Sequence, residues 1–269
     1  MKLTSTILAA AVFSTIAFAQ TPEAKMTCQE HSWNHNRLVT HCEIKEQTMP
    51  ASGGAIDIRP GENGGITVNG WNRADVLVRA RIQTAASTDA EARAMTPQVK
   101  FASGAANLHA EGPETDQNHS WSLDYEIFAP NNSDLVMTAH NGGIHVANVH
   151  GKVVFHTVNG GVHLEQVSGD VQGQTSNGGV HISMAGDRWD GKGMDIQTTN
   201  GGITLQASPQ FSAHVEASSE NGGITRDGGS MVRANSGRTT AFDLGAGGPS
   251  IHLVTTNGGI KISTNTKAM

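Results

Sequence analysis

The sequence predicts an all-β protein, specifically a single-stranded parallel β-solenoid (a β-helix or β-roll) with about 18 residues per coil. Asn-Gly-Gly followed by an alternating apolar strand recurs six times, and the copies at Asn141, Asn159 and Asn177 keep an 18-residue step. Glycines and β-branched residues also recur at half that step. Because so short a repeat cannot bury its own apolar face, each copy is expected to stack on its neighbours.

Each Asn-Gly pair is predicted to form a turn at a corner of the coil. Stacked asparagine amides can hydrogen-bond along the column, and the glycines are expected to supply a positive φ. Asn-Gly is also a strong hairpin signal, so an antiparallel meander is the alternative. Recurrence of the full motif at 18 residues favours the solenoid. The corners are Asn141-Gly142, Asn159-Gly160, Asn177-Gly178, Asn200-Gly201, Asn221-Gly222 and Asn257-Gly258, with an outlying copy at Asn63.

Residues 1–19 are predicted to be a signal peptide. Lys2 precedes an apolar run that ends in Ala17-Phe18-Ala19, a small-x-small cleavage site. The run is too short for a transmembrane helix, and no later segment is apolar enough. The chain is therefore expected to be exported, to the periplasm, the cell surface or the medium.

Residues 20–49 are predicted to form an N-terminal cap segment. Cys28 and Cys42 are the only cysteines, and in an exported chain such a pair favours a disulfide. Metal binding by the thiolates is the alternative. It would draw on three histidines of the same segment, namely His31, His35 and His41.

Residues 50–264 are predicted to form the solenoid, with regular coils from about residue 135 and a tail at 265–269. The earlier part reads as irregular strands with one short helix, opened by a capping box at Thr88 to Glu91. The step from Asn221 to Asn257 is 36 residues, which predicts two coils, the middle one without its corner. Lys261 and Lys267 are expected to blunt the edge of the last coil.

The order of these motifs resembles the bacterial putative-adhesin family of β-strand repeats, an exported domain of unknown function. The resemblance covers residues 50 to 264. It rests on Gly65 to Trp71, on the charged strand from Val76 to Ile82, on Ile127 to Pro130, and on the Thr-x-Asn-Gly-Gly coils. It implies a β-solenoid fold without a catalytic motif.

His145, His163 and His181 occupy one outward position on three successive coils, so their imidazoles are expected about 5 Å apart in a row. Neutral imidazole binds transition metals, which makes the row a candidate metal site. A solvated polar face, continued by Thr204 and Lys261, is the alternative. A flat row lacks converging ligands and a second shell, so we predict no metal or other cofactor.

Enzyme and glycan-binding classes are the competing interpretations. Polysaccharide-active β-helices group carboxylates in a groove, whereas the acidic residues here fall at different column positions and no nucleophile motif is present. Trp189, in an insertion after the Asn177 coil, is the candidate glycan contact; packing of the insertion onto the coil is the alternative. A carbohydrate-binding or polysaccharide-active β-helix protein remains the second hypothesis.

The sequence therefore predicts a non-catalytic exported solenoid that presents an adhesion or interaction surface in the cell envelope or outside the cell. Its partner is expected to be an envelope or extracellular protein or a glycan. Removing residues 1–19 takes one positive charge from the formal net charge of −6, which leaves −7. A negative chain without a basic run disfavours nucleic acid as a partner.

Overall fold

The computed structural model describes residues 26–28, 38–101, 104, 106–184, 186–227 and 238–264. The predicted signal peptide and tail, together with His31, His35 and Lys267, lie outside these residues. Within them the chain is all-β apart from one short α-helix and one 3-10 turn, which confirms the predicted class.

The strands follow the chain from the N-terminal part to the last Asn-Gly-Gly copy. They are β1 (Val39–Pro50), β2 (Ile56–Arg59), β3 (Ile66–Trp71), β4 (Asp75–Ala86), β5 (Lys100–Phe101), β6 (Asn107–Glu111), β7 (Ser120–Pro130), β8 (Leu135–Asn141), β9 (Ile144–Ala147), β10 (His150–Asn159), β11 (Val162–Glu165), β12 (Ser168–Asn177), β13 (Val180–Met184), β14 (Gly191–Asn200), β15 (Ile203–Ala207), β16 (Ala213–Asn221), β17 (Ile224–Arg226), β18 (Arg238–Leu244), β19 (Ser250–Asn257) and β20 (Ile260–Ser263).

Two ten-stranded sheets make up the fold. The first sheet has the order β1-β4-β7-β3-β9-β11-β13-β15-β20-β17, and the second has β18-β16-β19-β14-β12-β10-β8-β2-β6-β5. Both sheets are mixed, because β1–β4, β4–β7, β16–β18 and β5–β6 pair antiparallel. The prediction of one parallel solenoid therefore holds only in part.

The middle of the chain winds in a solenoid-like manner between the two sheets. Val153 pairs in parallel with Val171, and Val162 pairs in parallel with Val180, so both pairs join residues 18 positions apart. Each Asn-Gly-Gly corner carries the chain from the second sheet to the first. Because these neighbouring strands are parallel, the antiparallel meander is not the path of this region.

The last two strands return to the interior of the sheets. β19 lies between β14 and β16, and β20 lies between β15 and β17. Lys261 accordingly pairs with Thr204 on one side and Thr225 on the other, so its predicted role at a sheet edge is wrong. The middle coil predicted before Asn257 is also corrected, because β18 forms an antiparallel edge strand beside β16.

One hydrophobic cluster joins the inward faces of both sheets. Ile144, Val162 and Val180 stand in register on the first sheet, with polar residues between them on the outer face. On the second sheet, Gly173 interrupts the apolar column next to Phe155. A Cβ atom at Gly173 would lie 1.9 Å from Cζ of Phe155, so the missing side chain makes room for that ring.

The corner glycines differ from the prediction in their conformation. Gly142, Gly160 and Gly178 are not among the residues with positive φ. At Gly160 a Cβ atom would lie 2.0 Å from the carbonyl oxygen of Gly142, and the other first glycines of the motif meet the preceding corner in the same way. Close approach of stacked backbones therefore excludes a side chain there.

The helix α1 (Asp89–Met95) packs against β1 and β4 and continues into the 3-10 turn Thr96–Gln98. Its start follows the predicted capping box, since the Thr88 hydroxyl accepts a hydrogen bond from the Glu91 backbone N–H at 3.2 Å. None of the helices in the described ranges is long and apolar enough to cross a membrane.

The disulfide joins Cys28 to Cys42 with a Cα–Cα distance of 5.8 Å. It attaches residues 26–28 to β1, which lies at the edge of the first sheet. At the opposite end of the molecule, the Arg226 guanidinium lies 4.4 Å from the ring centroid of Phe242. This contact joins β17 of one sheet to β18 of the other.

Candidate interaction surface

A row of three imidazoles lies on the outer face of the first sheet. His145 pairs with His163 and His163 pairs with His181, so the side chains follow one another across β9, β11 and β13. The ring centroids are 6.1 Å and 5.1 Å apart and the rings are stacked. Each histidine follows a buried aliphatic residue, so strand alternation turns its side chain outward.

The same outward position is polar on every strand from β3 to β17. We call this row the outer column; it consists, in spatial order, of Thr67, His145, His163, His181, Thr204, Lys261 and Thr225. Adjacent strands of a sheet are about 4.8 Å apart, so the column is a flat, evenly spaced series of hydrogen-bonding groups. It can contact an extended or repetitive partner along its length.

The imidazole row does not form a converging set of ligands. Stacked rings direct their nitrogens along parallel planes rather than towards one point, whereas a specific metal site needs convergence and second-shell support. Glu165 is the closest acidic group, with a carboxylate oxygen 3.9 Å from Nε2 of His145. Across the described ranges, no three His, Cys, Asp or Glu side chains are grouped to hold a metal ion.

A depression of about 300 Å³ adjoins the start of the imidazole row. Arg81 and Asp124 line one side and form an ion pair at 2.8 Å, while His145 and His163 line the other. A carboxylate oxygen of Asp124 also accepts a hydrogen bond from the Gly65 backbone N–H at 2.7 Å. The sequence interpretation missed this pair, because its two members lie on antiparallel strands 43 residues apart.

Trp189 is not an exposed contact. Its side chain is 2% exposed, and its indole N–H donates a hydrogen bond to the Gly169 carbonyl oxygen at 3.2 Å. The proposed glycan contact at Trp189 is therefore corrected: the insertion packs onto the preceding coil, because the indole gains both apolar burial and a hydrogen-bond partner there.

An asparagine ladder runs along the corner beside the outer column. The Asn159 side-chain amide donates to the Asn141 side-chain oxygen at 2.9 Å, and Asn177 donates to Asn159 at the same distance. Asn257 donates to Asn200 and Asn221 donates to Asn257, which follows the spatial order of the strands rather than their order in the sequence. The ladder begins at Asn63, which accepts from Asn141.

Buried threonines reinforce the same corners. The hydroxyl of Thr175, two residues before Asn177, donates to the Gly160 carbonyl oxygen of the neighbouring corner at 3.2 Å. Thr157 makes the equivalent bond to Gly142. The Thr-x-Asn-Gly-Gly spacing was visible in the sequence. Because threonine is common on exposed strand faces, its burial could not be predicted from the spacing alone.

The second sheet carries an acidic depression of about 200 Å³. Asp170 and Asp195 both line it, although their positions in the repeat differ. Lys192 lies 4.0 Å from the Asp170 carboxylate, and the Gln197 side-chain amide donates to Asp195 at 3.4 Å. Each carboxylate thus has its own neighbour.

Comparison with known proteins gives a family and distant structural neighbours. The family model described as Toastrack DUF4097 matches residues 62–263. This match confirms the resemblance to the exported β-strand repeat family that the sequence motifs indicated. No curated protein matches the chain.

Solved structures similar to this chain share little sequence with it. A putative cell adhesion protein from Clostridium sporogenes is 11% identical, with a TM-score of 0.42, over 82% of this chain and 99% of that one. A putative adhesin from Bacteroides fragilis is 10% identical, with a TM-score of 0.32, over 82% and 96%. A putative lipid binding protein from Parabacteroides distasonis is 7% identical, with a TM-score of 0.35, over 81% and 96%. These superpositions are too distant to carry a functional argument.

Proposed function

The chain belongs to the Toastrack DUF4097 family, and we propose that it is an exported, non-catalytic adhesion or interaction protein of the cell envelope or the cell exterior. The outer column is the observation that carries this proposal. Seven polar side chains stand in register on one flat sheet face, held at regular spacing by the asparagine ladder behind them. Such a face suits a protein or glycan partner with extended, repeated chemistry.

Rigidity supports the same role. Parallel pairing at 18-residue steps, the amide ladder and the buried threonines tie each coil to its neighbours at several points. A solenoid of this kind keeps its outer side chains at set distances, so a partner meets a surface that needs no ordering on binding. A lower ordering cost leaves more of the contact energy for affinity.

The acidic depression supports a non-catalytic reading over the polysaccharide-active alternative. Paired-carboxylate glycosidases hold one carboxyl group protonated beside an ionised one. Here the two carboxylates are not opposite each other, since Asp170 pairs with Gly193 and Asp195 pairs with Gln172 in the strand register. Each has its own neighbour instead, Lys192 beside Asp170 and the Gln197 side-chain amide at Asp195. With Trp189 buried, the glycan-binding alternative also loses the aromatic contact on which it depended.

Protease shaving of intact producing cells tests where this surface operates. The chain is followed by immunoblotting, with a periplasmic protein in the same cells as control. We expect the band of this chain to disappear while the control survives, because an adhesion surface must be accessible from outside. Survival of both bands would confine the chain to the periplasm and contradict an adhesive role.

A further inference from the structure

Strand β1 provides a long open edge on the first sheet. It is the terminal strand in that sheet, and all twelve of its residues pair with β4 on one side. No other described strand pairs with its opposite side. The unpaired backbone N–H and C=O groups there form a template for another strand.

Two charges protect this edge against general strand pairing. Glu43 lies opposite Ile82 and Lys45 lies opposite Ala80 in the β1–β4 register, so both share a sheet face with fully buried apolar residues. Charged residues on an apolar face are a known device against edge-to-edge association, because most incoming strands would leave them unpaired. Within one chain, Nζ of Lys45 lies 4.0 Å from a carboxylate oxygen of Glu43, a distance that gives only a weak ion pair.

The sequence of β1 is complementary to itself in one antiparallel register. A symmetric pair of β1 strands must place one residue opposite its own copy, because only that arrangement matches the outward backbone groups of both chains. Centring the pair on Glu43, Lys45 or Glu46 would place identical charges opposite each other. Centring it on Ile44 places Glu43 of each copy opposite Lys45 of the other.

The Ile44-centred register also matches the remaining residues of the strand. It uses the whole length from Val39 to Met49, which is the longest overlap a symmetric pair can reach without opposing like charges. Thr40 faces Thr48, which is a favourable cross-strand pair. Val39, whose side chain is 40% exposed, faces Met49.

We propose that β1 is a homodimer interface, in which two copies of this chain pair antiparallel through β1 about a two-fold axis at Ile44. The first sheets of the two copies then join into one continuous sheet. The interface is isologous, so the Glu43–Lys45 pair forms twice. It lies at the opposite end of the first sheet from β17, so the outer columns of both copies stay accessible.

Charge exchange within β1 tests this interface. The full chain, purified with the Cys28–Cys42 disulfide oxidised, is measured by sedimentation equilibrium over a range of concentrations. We expect twice the monomer mass for the unchanged chain. Glu43→Lys and Lys45→Glu, each alone, place like charges opposite each other and are expected to give the monomer mass.

Two further samples separate this pairing from a general loss of stability. The double variant Glu43→Lys/Lys45→Glu restores opposite charges in the same register, and an equimolar mixture of the two single variants restores them between unlike chains. Both are expected to return to the dimer mass. Circular dichroism checks that each variant keeps its β-structure.

Three results would overturn the proposal. The unchanged chain could remain monomeric up to its solubility limit, or the single variants could remain dimeric. The mixture of the two single variants could also stay monomeric although each variant is folded. Each result would show that the Glu43–Lys45 complementarity does not drive association.

Discussion

At the scale of single residues, each corner requires both a glycine without a Cβ atom and an asparagine whose side chain hydrogen-bonds to the neighbouring coil. A Cβ atom at the first glycine of each corner would lie 1.9–2.1 Å from the carbonyl oxygen of the neighbouring corner, whereas at the second glycine the nearest atom would be 3.1 Å away or farther. The side-chain amide of the asparagine before them donates a hydrogen bond to the asparagine oxygen of the preceding coil. Glycine is therefore required by backbone stacking, which explains why the motif keeps its identity although φ is ordinary there.

We predict that alanine destabilises the fold much more at the first glycine of a corner than at the second. Gly160→Ala places Cβ 2.0 Å from a backbone oxygen, so it should destabilise the fold by about 3 kcal/mol or more. Gly161→Ala, with Cβ at 3.6 Å from its neighbour, is the matched control and should change stability by less than about 1 kcal/mol. Urea unfolding measures both; equal effects would contradict backbone stacking as the reason for the first glycine.

Removal of the Tyr125 hydroxyl is predicted to increase the stability of the fold. Its side chain is 1% exposed and its hydroxyl has no hydrogen-bond partner in the described residues; burial also raises its pKa. An unsatisfied buried hydroxyl costs stability, so Tyr125→Phe should stabilise the chain by about 1 kcal/mol in thermal or urea unfolding. A lower midpoint for the variant would show that the hydroxyl has a partner.

At the scale of strands, a side-chain contact between His214 and Asp243 stabilises the edge strand β18 of the second sheet. β18 pairs antiparallel with β16, and His214 on β16 contacts Asp243 on β18 at 2.7 Å. The hydrogen bond to the Asp243 carboxylate, with a smaller contribution from Glu216, raises the pKa of His214 above its usual range. Protonation of His214 therefore stabilises the pairing of the edge strand β18 with β16.

The stability conferred by this pair should depend on pH in a definite direction. Because the folded-state pKa is raised, the stabilisation is fully present below the unfolded pKa of about 6.5 and is lost as pH rises through the folded value. Asp243→Asn should therefore lower the unfolding midpoint at about pH 5 and have little effect above the folded pKa of His214.

The exposed Asp227, which makes no side-chain hydrogen bond to any of the described residues, supplies the control variant Asp227→Asn. It should show no such pH dependence. An Asp243→Asn effect that stays constant from acid to neutral pH would contradict a role for His214 protonation. NMR titration of His214 would measure its pKa directly in the unchanged chain and in the Asp243→Asn variant.

At the scale of the whole molecule, the sequence could predict what repeats and not what departs from the repeat. The apolar columns, the asparagine ladder and the histidine row follow from spacing alone, since neighbours 18 residues apart have equivalent environments. Spacing does not contain the spatial order of coils. Asn257 fits a terminal coil as well as it fits the observed place between Asn200 and Asn221.

The surface was predicted less completely than the fold. The histidine row required only strand alternation, whereas the Arg81–Asp124 pair depends on antiparallel strands whose register is not encoded in a repeat. Trp189 sits in an insertion, where no periodic rule decides between exposure and burial. Trp189 is buried because tertiary packing gives its indole both an apolar environment and a hydrogen bond to the Gly169 carbonyl oxygen.

One binding measurement tests most directly whether the outer column is the contact surface. Envelopes isolated from the producing cells are sedimented with the purified chain, with His163→Glu on the outer column, and with Gln174→Glu on the outer face of the second sheet as matched control. We predict saturable binding of the unchanged chain, binding by the Gln174 variant at the same affinity, and at least about tenfold weaker binding by the His163 variant. Equal binding by both variants would contradict the outer column as the interaction surface.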